Sequence, residues 1–340
     1  MNTGGKTTVF VTGATGLVGS HLVERLTAEG VEVRCLVRSS SRTELLERLG
    51  VQRVVGDVTD EPARLRELIG DASLVFHCAA MVDDWASREA MVRVNVEGTR
   101  NLLESCRGLP GLRRFVMVGS MVVLGMGPQI HFDETAPMVH TGDNYNYTKI
   151  LATEMAMKYA REHGVPVVVC QPPYIYGPRD QQFFPRVFEA LKSGRFKYLG
   201  DGNQPLTLVY VANLVEALLL AAAKDGVQGQ LFLVTDGESV TRRELVEMVC
   251  EEMGYRKPTV CVPVAVARAL LPLVEWLGKV RGKRPILNRF QMKFLSTPLT
   301  FNIAKARTVL GYAPVEPPRE SLRKTIRWYR EHHKEMLPGG

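Results

Sequence analysis

Metal-site and redox spacings are missing from this 340-residue sequence. Its six cysteines (Cys35, Cys78, Cys106, Cys170, Cys250, Cys261) form no Cys-x-x-Cys pair, and none has a histidine at ligand spacing. Reduced, mostly buried thiols and no bound metal are the expectation. An apolar leader is missing too, because Met1–Thr8 is short and polar and runs straight into a strand pattern, so a cytoplasmic protein is expected. No stretch supplies the ~20 uninterrupted apolar residues of a spanning helix. Val209–Ala223 contains Asn213 and Glu216, and Pro263–Val280 contains Arg268, Pro272 and Glu275. Internal repeats and low-complexity tracts are absent. Charged residues make up only 23% of the chain against 45% hydrophobic ones, which excludes general disorder. The length suits two domains, or one large α/β domain with an added lobe.

Positive charge is scarce over most of the chain despite a net charge of +7. Leu271–Gly340 holds 14 Lys/Arg against 5 Asp/Glu, leaving 29 against 31 for residues 1–270. No nucleic-acid partner is expected from so local an excess.

What is present is a βα alternation. Thr8–Thr12, Val31–Val37, Val51–Val55, Leu74–Cys78, Arg114–Gly119 and Val165–Cys170 are short β-branched runs, separated by stretches of helical period at Gly16–Ala28, Asp84–Cys106 and Tyr145–His163. Near-continuous apolar strands between amphipathic helices predict an α/β fold, a doubly wound parallel Rossmann sheet covered on both faces. After Pro172 the pattern loosens and fills with Pro and Phe, predicting a smaller C-terminal substrate-binding lobe. The expected division is 1–172 for the dinucleotide domain and 173–340 for the lobe, with about 205–235 returning to the sheet and a last helix at Arg319–His333.

Directly after the first strand stands Gly13-Ala14-Thr15-Gly16-Leu17-Val18-Gly19, then a helix. Glycines there permit a tight turn and close backbone approach to a pyrophosphate, and the helix N-terminus adds free N–H groups and positive dipole. Gly13, Thr15, Gly16, Leu17, Val18 and Gly19 are the expected phosphate contacts. The second strand ends in Arg38, followed by Ser39 and Arg42, where a guanidinium suits a ribose 2′-phosphate and a carboxylate would suit the 2′-hydroxyl. NADP(H) is therefore preferred, with NAD(H) as the alternative. Asp57 and Val58 after the third strand, and Cys78, Ala79 and Ala80 after the fourth, are placed to meet the same cofactor, as is Pro172 further on.

Tyr145 and Lys149 lie four apart on a helix, so both can address one reacting atom. A phenol is a poor proton relay near neutral pH unless a nearby cation favours its phenolate. Tyr147 lacks such a partner, because Leu151 occupies the position four residues on. Ser120 ends the fifth strand at the sheet edge where the cofactor would lie, and its hydroxyl can hold a substrate oxygen.

Together Thr12–Gly19 (TGATGLVG), Gly56-Asp57-Val58, Phe76–Ala80 (FHCAA), Asn95–Leu103 (NVEGTRNLL), Ser120 five residues before Gly125, Tyr145–Lys149 and Tyr176–Asp180 (YGPRD) carry a resemblance over nearly the full length. The chain resembles the extended short-chain dehydrogenase/reductase family, the NAD-dependent epimerase/dehydratase superfamily. The resemblance implies a catalytic triad of Ser120, Tyr145 and Lys149, a hold by Lys149 on the nicotinamide ribose, support from Asn95, hydride transfer at the nicotinamide, and a homodimer packed through two long helices.

Gln171–Asp180, Phe184–Gly194 and Phe301–Pro314 look most like the 3β-hydroxysteroid dehydrogenase-like and dihydroflavonol reductase-like group. That likeness implies a secondary alcohol or ketone on a sterol-like or β-keto/β-hydroxy acyl compound. The acidic residue that many NAD-using steroid dehydrogenases carry at the Arg38 position is replaced here, which favours reduction with NADPH. Nucleotide-sugar epimerases and dehydratases are the alternative. Leu206 stands where they commonly have an arginine for the diphosphate, and Met121 and Val122 stand where dehydratases carry acidic residues. A non-catalytic NADP-binding sensor or scaffold is a further alternative, although such proteins usually lose the Tyr or the Lys. Phe183, Phe184, Phe188, Phe196 and Tyr198 are candidates to line an apolar cleft. For Pro263–Arg284, an amphipathic core helix with a solvated basic end is preferred over docking onto an anionic membrane surface.

Overall fold

The computed structural model describes residues 7–83, 86–125, 131–280, 292 and 299–338. Strands β1 (Thr8–Thr12), β2 (Glu32–Val37), β3 (Gln52–Val55), β4 (Leu74–His77) and β5 (Arg114–Val118) alternate with helices α1 (Leu17–Ala28), α2 (Glu44–Arg48), α3 (Pro62–Ile69), α4 (Arg88–Met91) and α5 (Gly98–Cys106). Then come β6 (His131–Phe132), α6 (Asn144–His163), β7 (Val167–Gln171), β8 (Tyr174–Tyr176), α7 (Phe183–Lys192), β9 (Tyr198–Leu199), β10 (Pro205–Leu206), β11 (Leu208–Tyr210), α8 (Val211–Ala223) and β12 (Gln230–Leu233). The chain ends with β13 (Val240–Thr241), α9 (Arg242–Met253), β14 (Cys261–Val262), α10 (Val264–Val280), β15 (Thr300–Phe301) and α11 (Pro318–His332).

Seven strands pair in parallel in the order β3, β2, β1, β4, β5, β7, β12. The order reverses at β1 and β4, which opens a crevice at their carboxyl ends. The register aligns that edge: Thr12 lies opposite Leu36 and His77, His77 opposite Met117, and Val118 opposite Cys170. Alternation along each strand sends its side chains to opposite faces. Val9, Val11, Phe76 and Val168 pack with α1 and α8, whereas Phe10, Val75, Phe115 and Val169 pack with α3, α5 and α6.

β3 departs from expectation, because it is the sheet edge and Val55 is largely exposed. At the other edge, Lys305 Nζ donates to Leu231 O (2.8 Å) and the Leu233 N–H donates to Glu134 Oε1 (2.9 Å), so side chains cap unpaired main chain of β12. The helix expected over Asp84–Cys106 is broken up. Asp84 lies outside the described residues, Ser87 caps α4 through Ala90 N–H, and Val92–Glu97 forms a π-turn before α5.

A second core fills the C-terminal lobe. Tyr176, Phe184, Phe188, Tyr198 and Leu206 pack with Leu245, Leu322, Ile326 and Tyr329. Phe184, Phe188 and Tyr198, expected to line a cleft, are buried in this core, where Phe184 and Phe188 pack on Tyr329 of α11. Leu206 is buried there as well, so it offers no surface to a ligand. Asp236 fastens this lobe to the sheet, accepting from Tyr210 N–H (2.7 Å), Asn213 Nδ2 (2.7 Å) and Tyr176 Oη (2.9 Å), and its burial pushes the carboxyl up to about 6. Arg179, the one non-glycine residue with positive φ (+70°) among those described, forks onto Glu24 of α1 at 3.1 and 2.5 Å.

α10 also departs from expectation. Among its described side chains only Leu271 is buried, so it is not a core helix. The basic residues Arg281, Lys283 and Arg284 lie outside the described residues. No helix among the described residues is long and apolar enough to cross a membrane. The six cysteines are free, and four of them are buried.

Candidate active site

The glycine turn closes by a Gly16 N–H bond to Gly13 O (2.9 Å), and helical bonding starts with Ser20 N–H to Gly16 O (3.0 Å). The N–H groups of Leu17, Val18 and Gly19 therefore precede the helical ladder, and no acidic residue stands in the first turn. Gly13 has φ +69°, and a Cβ on it would lie 2.6 Å from Ala79 N. One on Gly19 would overlap Gly13 O. These two glycines seat the turn against the loop after β4 and against its own helix. Gly16 differs, because within 4 Å its Cβ would meet only Gly13 O, at 3.3 Å. It leaves an open cradle under a helix N-terminus, flanked by exposed Thr15, which fits a pyrophosphate.

Arg38, Ser39 and Arg42 are exposed in a turn held by Arg38 N–H to Ser41 Oγ (3.1 Å) and Ser41 N–H to Arg38 O (3.0 Å). Among the described residues neither guanidinium has a protein partner, in contrast to Arg34, which binds Gln52, Ile69 O and Asp71. Asp57 Oδ1 accepts from both the N–H and the hydroxyl of Thr59 (2.9 Å each), shaping the turn after β3. Val58 is buried beneath α5, where a Cβ on Gly98 would touch it at 2.7 Å, so it offers main chain rather than side chain to a ligand. Cys78, Ala79 and Ala80 are half-buried beside the turn, and burial pushes the Cys78 thiol up to about 12, so it stays protonated. Pro172 is buried, and its carbonyl accepts from Met121 N–H (2.9 Å), next to Ser120.

Asp143 caps α6 by accepting from Asn146 N–H (2.7 Å), which sets Tyr145 in the first turn and Lys149 one turn later. Tyr145 is half-buried. Lys149 is buried and donates from Nζ to Val118 O (2.9 Å), two residues before Ser120. Burial lowers its ammonium to about 8. Ser120 is buried and its Oγ accepts from Val122 N–H at 3.3 Å, capping a 3-10 turn, so its own proton stays available to an acceptor. Tyr147 is engaged elsewhere, with the Arg88 guanidinium 4.8 Å over its ring.

Sequence reasoning missed Asn146. Its Nδ2 donates to Val122 O (2.8 Å) and Val139 O (3.0 Å), and its Oδ1 accepts from Thr141 N–H (3.0 Å). This clamp holds the Ser120 turn against the start of α6.

A buried polar chain, also missed, joins the cofactor-side loop to the same helix. The Thr99 hydroxyl spends its proton on Asn95 O (2.7 Å), so the Nε2–H of His77 must donate to Thr99 Oγ1 (3.0 Å). His77 Nδ1 then accepts from the Thr12 hydroxyl (2.8 Å), which in turn accepts from Ala79 N–H (3.3 Å). His77 is thus neutral with one defined tautomer, and burial with the Lys149 charge nearby pushes its pKa down to about 3. Asn95 continues the chain: Oδ1 accepts from Met81 N–H (2.7 Å), and Nδ2 donates to Met81 O (3.0 Å) and Thr148 Oγ1 (3.1 Å). Thr148 passes its own proton to Tyr145 O (3.0 Å). Three hydrogen bonds to protein hold the Asn95 side chain, so it braces the site. Asn95→Ala is expected to lower the unfolding free energy by about 2–4 kcal/mol, since Met81 N–H and C=O lose their partner. Denaturant titration measures this, and a loss under about 0.5 kcal/mol would rule out a brace.

Residues 9–234 match the NAD dependent epimerase/dehydratase family. A 4-hydroxy-2-methyl-3-oxo-4-farnesyl-3,4-dihydroquinoline-1-oxide ketoreductase of Stigmatella aurantiaca is 32% identical over 308 residues, covering 89% of this chain and 91% of that protein. A 3-beta-hydroxysteroid dehydrogenase of Mycolicibacterium neoaurum is 31% identical over 347 residues, covering 98% and 94%. The solved structure of MoeE5 in complex with UDP-glucose and NAD is 26% identical, with a TM-score of 0.74, covering 95% of this chain and 99% of that one.

Proposed function

The chain belongs to the NAD dependent epimerase/dehydratase family, the extended short-chain dehydrogenases/reductases, and from that premise we propose an NADP(H)-preferring oxidoreductase that interconverts a ketone and a secondary alcohol on a hydrophobic molecule. The observation that carries this reading is the buried Lys149, fixed to Val118 O beside Ser120 and one turn from Tyr145. A bound nicotinamide dinucleotide supplies or accepts the hydride. The rest of the work falls to side chains of this chain. Ser120 donates its free hydroxyl proton to the substrate oxygen and holds it near Tyr145. Tyr145 delivers a proton to that oxygen in reduction and withdraws it in oxidation. The Lys149 ammonium favours the phenolate and keeps two N–H donors for the cofactor ribose. Gly13, Gly16 and the N-terminus of α1 hold the pyrophosphate.

An apolar substrate, sterol-like or a β-keto/β-hydroxy acyl compound, is favoured by the two named oxidoreductases among the relatives. The similarity to a protein that binds UDP-glucose keeps a nucleotide-sugar epimerase or dehydratase as the second reading. A screen of NADPH and NADH oxidation over ketosteroids, β-keto acids and nucleotide sugars separates the two. Micromolar binding of a UDP- or dTDP-sugar by calorimetry would reverse their order.

The cofactor preference rests on Arg38 and Arg42, whose guanidinium groups are unpaired within the described chain. Arg38→Asp is expected to lower kcat/KM for NADPH by about tenfold or more while changing the NADH value by less than about threefold, one charge-assisted phosphate contact being worth roughly 1.5–3 kcal/mol. Steady-state kinetics with both cofactors checks it. A wild-type preference for NADPH of twofold or less, on that order, sinks the assignment. We also propose a division near residue 172 between cofactor domain and substrate lobe, and a homodimer through α5 and α6, which light scattering of the pure protein tests.

A further inference from the structure

We propose that the outward face of α10 docks onto an anionic lipid bilayer. Val266, Leu270, Leu273, Trp276 and Val280 are each 48–65% exposed. Their spacings of four, three, three and four residues put them on one side of the helix, opposite buried Leu271. A helix on an ordinary surface turns its apolar stripe inward. Here five large apolar side chains, one of them tryptophan, form a continuous strip facing outward, which is the mark of an interaction surface rather than of scattered exposure.

Charge selects the occupant. From Trp276 to Val315 the sequence holds eight Lys/Arg and no Asp/Glu, and Arg268 is exposed on α10 itself, whereas residues 1–270 are slightly acidic. An apolar strip that leads into an acid-free basic sequence matches a surface with hydrocarbon below and negative charge above. A second copy of this chain carries the same basic excess in this part of its sequence and so supplies no opposite charge to it. With no helix among the described residues able to cross a membrane, α10 would lie in the plane of the interface. The proposal is independent of which substrate the redox site takes.

The test uses the full chain and flotation with vesicles of phosphatidylcholine alone or with about 30% phosphatidylglycerol, at about 0.05 M and about 0.5 M salt. Co-migration is expected with the anionic vesicles at low salt. It should fall by about tenfold or more with neutral vesicles, at high salt, or in the Leu270→Glu/Leu273→Glu variant, whose thermal unfolding should match wild type because both positions are exposed. Anionic vesicles should also shift tryptophan emission to the blue, and Trp276→Phe should remove that shift. No co-migration at low salt overturns the proposal, as does equal co-migration of the double variant. A dimer abolished by the double variant, in a protein that ignores lipid, overturns it in favour of a second copy.

Discussion

Tyr145→Phe is expected to lower kcat for ketone reduction by about 10²–10⁴-fold while leaving dinucleotide affinity within about threefold, because the change removes one proton donor and almost no volume. The expectation follows from what holds the backbone at residue 145. Asp143 fixes the start of α6, Asn146 ties that start to the Ser120 turn, and Thr148 hydrogen-bonds the Tyr145 carbonyl. The backbone under residue 145 is thus held by groups that the substitution leaves alone. Single-turnover kinetics and a separate cofactor titration distinguish lost chemistry from lost binding. An unchanged turnover on an identified substrate would falsify the role given to Tyr145.

The same site predicts a divergence of activity and stability above neutral pH. Burial lowers Lys149 to about 8, against an ordinary value of 10.5. Activity that needs its ammonium should fall as pH rises past about 8. Stability should move the other way. Between about 8 and 10.5 the unfolded chain holds the proton that the folded chain has released, so this group's contribution rises with pH across that window and is lost as pH falls through about 8. Kinetics and denaturant titrations across this range should therefore show opposite slopes, and in Lys149→Met both should flatten.

Strands and strand ends were legible because a parallel sheet buried on both faces leaves a near-continuous apolar run, and β1, β2, β4, β5 and β7 follow those runs within a residue or two. β3 was legible as a strand but not as an edge, since its valines look alike whether or not a helix covers them. Tyr145 and Lys149 were readable from a spacing of four. The His77 chain was not, because its partners Thr12 and Thr99 lie 65 and 22 residues away and only the packed fold brings three hydroxyl groups and an imidazole into line. Periodicity revealed that α10 has an apolar face but not what the face meets. Phe184, Phe188 and Leu191 recur at helical spacing, but a period does not say whether an apolar face meets core or ligand, and only the packing of Phe184 and Phe188 on Tyr329 decided it.

Gly16→Val is expected to fold with wild-type stability to within about 0.5 kcal/mol and yet to weaken dinucleotide binding by about a hundredfold or more, roughly 2.8 kcal/mol. The backbone at Gly16 has φ −85° and ψ 176°, an extended conformation open to any residue. A Cβ there meets nothing of the protein within 4 Å beyond Gly13 O, at 3.3 Å. It would stand where the pyrophosphate must approach the N–H groups of Leu17 and Val18. Gly19→Ala is the contrasting case: its Cβ would overlap Gly13 O and lie 2.7 Å from Gly13 C and 2.9 Å from Ala14 Cα, all main chain with no room to yield. That substitution should cost about 1–3 kcal/mol of stability before any cofactor is added. Thermal unfolding without cofactor, followed by titration with NADPH, separates the two variants. A Gly16→Val protein that binds NADPH within about threefold of wild type would mean that the cradle is not the phosphate site, and one that unfolds like Gly19→Ala would mean that Gly16 serves packing alone.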